Sequence, residues 1–160
     1  IRAYTTEGKK MSTLQKRQTC QDLVLKKYNE RLVDLQAASD YFSIEKDSAR
    51  AAHDSHEDLK HFEDYYDYVN QLGLSFDYVP ANLSTFPACR NWRWQLSWGG
   101  PGDEFRIYTD IEKNIDRIDY VYLDWFDSAT HKIEPIPAPL AEAAAWFLEC
   151  SSYDPEGREI

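Results

Sequence analysis

Glycine and proline are missing from Met11 to Leu72, so nothing in that stretch forbids helix. Long apolar runs are missing everywhere. None approaches the roughly 20 residues that cross a bilayer, and the opening residues carry no apolar signal-peptide core. Ile1 to Lys10 reads as a polar tail. Cysteine is sparse: Cys20, Cys89 and Cys150 are odd in number, far apart and without metal-ligand spacing. They read as isolated, reduced thiols of a cytoplasmic protein, not as a disulfide framework. No phosphate-binding loop, dinucleotide fingerprint or nucleophile elbow occurs, so no cofactor and no enzymatic activity is expected. Basic charge is also short, with 18 Lys and Arg against 28 Asp and Glu, for a net charge of -10. Such a chain repels phosphate backbones, and no basic patch offsets this. Direct nucleic-acid binding and membrane association are not expected. A protein partner with a basic surface is.

What is present indicates one globular domain, with 42% hydrophobic and 14% aromatic residues over 160 positions. Ser12 and Gln15 have capping-box spacing. Leu25, Tyr28, Leu32, Leu35 and Phe42 then recur at helical spacing, with Val24 beside them. Leu59, Phe62, Tyr66 and Val69 repeat the pattern, and Gly73 is placed to end it. The polar interval between the stripes predicts a chain reversal near Ser43 to Ser48. One unbroken helix could bury both stripes only by dimerising.

Downstream, Trp92, Trp94, Leu96 and Trp98 alternate with Arg93, Gln95 and Ser97, the period of a half-buried strand. Gly99-Gly100-Pro101-Gly102 supplies a reversal. Phe105, Ile107 and Thr109 run back, and a second reversal is expected around Lys113-Asn114. Ile118 to Phe126 is apolar on both faces, which predicts a central strand. Leu74 to Val79 and Thr130 to Ile133 read as short outer strands, and Leu140 to Cys150 as a helix. The fold expected is α+β: an N-terminal helical hairpin over residues 11–73, then an antiparallel β-meander of three to five strands and a C-terminal helix over 74–150. These pack as one domain, with residues 151–160 a polar tail.

Three constellations carry chemistry. His53, Glu57 and His61 are spaced to share a helical face, with His56 nearby, but the zinc-protease pattern is absent and histidines on an acidic face are ordinarily solvated. No metal is expected. Glu104, Asp124 and Asp127 lie near aromatics, as a hydrolase acid and base would, yet carboxylates beside turns usually cap amides. The distribution of acid is more pointed. Asp54, Glu57, Asp58, Asp64 and Asp67 gather on the second helix, Asp110, Asp116 and Asp119 near a hairpin tip, and Asp103 and Glu104 after the Gly-Pro turn. Held on rigid elements, such carboxylates can imitate nucleic-acid phosphates. Tyr65, Tyr66 and Tyr68 cannot all face inward from one helix, which makes Tyr68 a candidate interface anchor, and Trp92, Trp94, Trp98 and Trp125 exceed what a small sheet buries unless helices cover both of its faces.

The segments Leu96-Ser97-Trp98-Gly99-Gly100-Pro101-Gly102-Asp103-Glu104-Phe105-Arg106 and Tyr122-Leu123-Asp124-Trp125-Phe126-Asp127 resemble small accessory proteins of bacterial plasmids and phages. The resemblance covers about a quarter of the chain and implies a mobile-element setting, in which small acidic proteins often inhibit host defence. The expected function is therefore a non-enzymatic inhibitor of a nucleic-acid-handling defence complex, of the anti-CRISPR or antirestriction type. A small carboxylate hydrolase and an oligomeric scaffold, such as a homodimer, are the alternatives.

Overall fold

The computed structural model describes residues 17–44, 54–80 and 91–152. Helix α1 spans Cys20–Ser43. It opens on a reciprocal cap: Thr19 Oγ1 accepts from the Asp22 amide at 3.3 Å, and Asp22 Oδ2 accepts from the Thr19 amide at 2.9 Å. The cap expected at Ser12 and Gln15 lies outside the described residues. Val24, Tyr28, Leu35 and Ala38 are buried, whereas Leu25 is 53% exposed. The predicted stripe is therefore kept at Tyr28, Leu32, Leu35 and Phe42, with Val24 taking the inward place expected of Leu25.

The return leg is two short pieces. A 3₁₀ segment, Asp54–His61, is kinked at His56 (φ -127°, ψ 47°). Helix α2, Tyr65–Leu72, follows behind Asp64, whose carboxylate accepts from the Asp67 amide. Asp and Ser compete for backbone amides and so favour helix starts over helix interiors. Gly73 does not take the left-handed cap conformation; its φ is -101°. Its small size matters instead, because a Cβ there would lie 2.2 Å from Trp94 Nε1.

Five strands, β1 Ser75–Val79, β2 Asn91–Ser97, β3 Gly102–Thr109, β4 Ile115–Asp124 and β5 Asp127–Ile133, pair antiparallel in chain order. Register places Phe76, Trp94, Phe105, Tyr120 and His131 in one row, and Tyr78, Trp92, Ile107, Ile118 and Ile133 in the next. The helices pack on this face. Tyr28 of α1 meets Tyr120 and His131 at centroid distances of 5.8 and 4.9 Å. Helix α3, Ala138–Cys150, places Phe147 4.9 Å from both Phe76 and Trp94. Lys113, at φ +64° in the β3–β4 connection, donates to the Leu148 carbonyl near the end of α3.

The opposite face carries Asp77, Arg93, Arg106, Asp119 and Lys132 in one register row. Arginines directly opposed on neighbouring strands repel. Here each is neutralised sideways, Arg93 by Asp77 at 3.2 Å and Arg106 by Glu104 at 2.6 Å.

Trp94 and Phe105 are almost fully buried in the middle of the aromatic row. Phe105→Ala is expected to lower unfolding free energy by about 3–5 kcal/mol, as for other aromatic-to-alanine cavities. Urea denaturation followed by tryptophan fluorescence measures the loss directly.

Candidate functional site

The end of β2 departs from simple alternation. Pairing shifts between Gln95 and Ser97, bringing Ser97 opposite Asp103. An extra residue in one strand re-aims the side chains beyond it. Ser97 turns toward the helix-covered face, where its hydroxyl bonds Asp103, and Trp98 leaves the buried row to stand 79% exposed. The β4–β5 connection is only Trp125-Phe126, and Trp125 has φ +53°. Glycine ordinarily fills the positive-φ position of so short a hairpin. A side chain there costs on the order of 1–3 kcal/mol, and such strain concentrates at functional positions. Trp125 and Phe126 are 78% and 104% exposed.

Both flanks of this turn are fastened to the start of α1. Asp124 Oδ2 accepts from Arg17 Nη2, and Asp127 Oδ2 from the Cys20 amide, each at 2.7 Å. The second bond sets a carboxylate on free helix amides, where the helix dipole favours it. The two turns also touch. A Cβ on Gly100 would fall 2.5 Å from Trp125 Nε1, so the indole lies directly on the glycine backbone. Between Trp98 and Trp125 a groove of about 580 Å³ opens on the face away from the helices, its floor made by Arg93, Gln95, Glu104, Arg106 and Leu123.

The acidic residues singled out in the sequence do not form one surface. Asp103, Glu104 and Asp119 are buried, at 4%, 4% and 6% exposure, so they cannot present carboxylates to a partner; sheet register and neighbouring arginines draw them in. Asp103 takes Nε and Nη2 of Arg31 at 2.7 and 3.0 Å and the Tyr120 hydroxyl at 2.7 Å. Burial would raise its carboxyl, but the bonds from Arg31, Ser97 and Tyr120 together hold it below the usual range. Burial raises Asp119 despite the nearby Arg117.

Asp64 accepts from the Asp67 amide in the first turn of α2, and Asp67 accepts from the Glu63 amide just before the helix and from the Gln71 side chain. Asp110 accepts from the Glu112 and Asn114 amides and the Asn114 side chain, which lowers its pKa. Glu57 pairs with Lys60. The side chain of Asp54 lies outside the described residues. Tyr68 is half-buried against Phe62, and burial pushes its phenol up to about 12. Asp58 and Asp116 remain exposed, with no side-chain partner among the described residues.

Neither the carboxylate cluster nor the histidine cluster weighed in the sequence is assembled among the described residues. Glu104, Asp124 and Asp127 are each engaged structurally. The kink at His56 breaks the helical face proposed for the histidines, His53 lies outside the described residues, and no metal-holding group of three occurs among those described. The strand expected to run through Phe126 ends at Asp124, and Trp125-Phe126 forms a tight turn at positions where Asn or Gly is usual. Comparison with protein-family models, curated proteins and solved structures finds no match to this chain.

Asp103→Ala strands Arg31 in a mostly buried setting and is expected to cost about 3–5 kcal/mol. The wild-type carboxyl, depressed in the folded state, contributes stability that is full above its unfolded pKa of roughly 3.9. That contribution is lost as pH falls through the lower folded value. Asp103→Asn should therefore flatten the acid limb of stability against pH, read by denaturant melts from pH 6 downward. Gly100→Ala should displace the Trp125 indole with little loss of stability, visible as a shift in its N–H resonance.

Proposed function

We propose that the protein is a non-enzymatic binding protein that docks on a protein partner through Trp98, Trp125 and Phe126. The observation that carries this reading is three large aromatics exposed on two touching turns, one of them held at a backbone angle glycine would fill more cheaply. Exposed tryptophans concentrate binding energy at protein interfaces. Removing them should not harm the core, which is built from Trp92, Trp94, Phe105 and Tyr120.

The partner this best suits has a basic surface. A net charge of -10 draws basic proteins in and raises their encounter rate, an effect that salt screens. Dispersed carboxylates such as Asp58 and Asp116 suit steering better than close imitation of a phosphate ladder. The resemblance to plasmid and phage accessory proteins supports a nucleic-acid-handling defence complex as the target and inhibition as the outcome.

Affinity capture from a bacterial lysate, with and without duplex DNA, tests the reading. Trp98→Ala should weaken capture by about 30-fold, the effect of losing an anchor worth roughly 2 kcal/mol. Asp58→Lys with Asp116→Lys should slow association at low salt and change little at high salt. Capture untouched by Trp98→Ala would reject the aromatic interface, and displacement by DNA would restore phosphate mimicry.

A further inference from the structure

Resting on that binding-protein reading, the geometry points to the kind of segment the partner supplies: we propose that the groove between Trp98 and Trp125 receives an extended, proline-containing peptide. Three properties of the groove select it.

The first is charge. Arg93 and Arg106 line the floor, but Asp77 and Glu104 neutralise them. A floor without net charge gives neither a phosphate nor a lone cation an electrostatic advantage. The chain as a whole carries a net charge of -10, which favours a basic residue flanking the bound segment.

The second is hydrogen-bonding sense. Trp98 and Trp125 bring indole N–H donors with no hydrogen bond among the described residues, and Gln95, whose Oε1 faces the Ser75 hydroxyl at 3.5 Å, adds an amide donor on the floor. The carboxylate there, Glu104, is only 4% exposed and is drawn onto Arg106 Nε at 2.7 Å, which leaves little of it open to a ligand. The groove therefore offers donors and few free acceptors. Sugar hydroxyls need both. A proline-containing segment has carbonyls to satisfy and few N–H groups of its own, so it fits without stranding a donor. Its pyrrolidine rings match the exposed indole faces, the mode by which aromatic-lined grooves take polyproline helices.

The third is length. From Arg93 to Ser97 the floor follows β2 for about 13 Å at roughly 3.3 Å per residue. A polyproline helix advances about 3.1 Å per residue, so about four residues occupy it, and they arrive already extended.

The experiment is a titration of the full chain with decaproline, followed through the N–H correlations of its five indoles. A glycine-serine decapeptide, chitotriose and oligothymidylate serve as comparisons. Decaproline is expected to move the Trp98 and Trp125 resonances while those of buried Trp92 and Trp94 stay in place. Trp98→Ala and Gln95→Ala should each weaken the response at least about tenfold, near the effect of one lost contact of 1.4 kcal/mol. Trp125→Phe, which keeps a ring over Gly100, should retain part of it.

Decaproline without effect at millimolar concentration would overturn the proposal, as would an equal response to glycine-serine or a stronger one to chitotriose or oligothymidylate. If decaproline fails while partner capture still depends on Trp98, the peptide class is wrong and the binding reading stands. If decaproline binds but capture ignores Trp98, the groove is real and the binding reading fails.

Discussion

One carboxylate ties the layers together. Asp103 sits on β3 and receives Arg31 from α1, Ser97 from β2 and Tyr120 from β4. Helix and three strands thus share a single acceptor. A buried charge is tolerable only when such bonds replace its lost hydration, so these residues must be placed together. The bond to Ser97 also holds the irregular end of β2, which is what turns Trp98 out to solvent. The exposed aromatic end thus depends on a polar contact on the other face of the sheet.

That dependence explains what the sequence could and could not reveal. Alternation in Trp92 to Trp98 and the apolar character of both faces of Ile118 to Phe126 make the meander legible, because period-two burial is a local property, though the strands stop at Ser97 and Asp124. The α3 stripe was legible for the same reason. Surplus tryptophan points to exposed rings, but alternation places Trp98 in the buried row, because the shift at Gln95 and Ser97 depends on a partner, Asp103, that alternation cannot see. The carboxylates failed similarly. Asp103, Glu104 and Asp119 look like surface acid until register sets arginines beside them.

The sheet is covered by helices on one side and by its own ion pairs on the other. Arg106 lies over Glu104 with its side chain only 14% exposed, and Val121, on that face, is 1% exposed. Long arginine stems shield apolar surface while their charged ends are satisfied within the sheet. A face built this way is polar without carrying net charge. It remains open along β2 and β3, where the two tryptophans rise.

Strand order that follows chain order has a consequence for how the molecule is made. Each hairpin from β2 onward can close as soon as its second strand exists, across a short loop and with little entropy to overcome. Helix α1 cannot settle so early. Its starting amide at Cys20 waits for Asp127, 107 residues further along, and most of its packing surface is β4 and β5. During synthesis the first helix must therefore remain undocked until nearly the whole sheet has emerged. The fastening of the Trp125 turn comes among the last steps, so a growing chain completes its exposed aromatic end only after most of the sheet has formed.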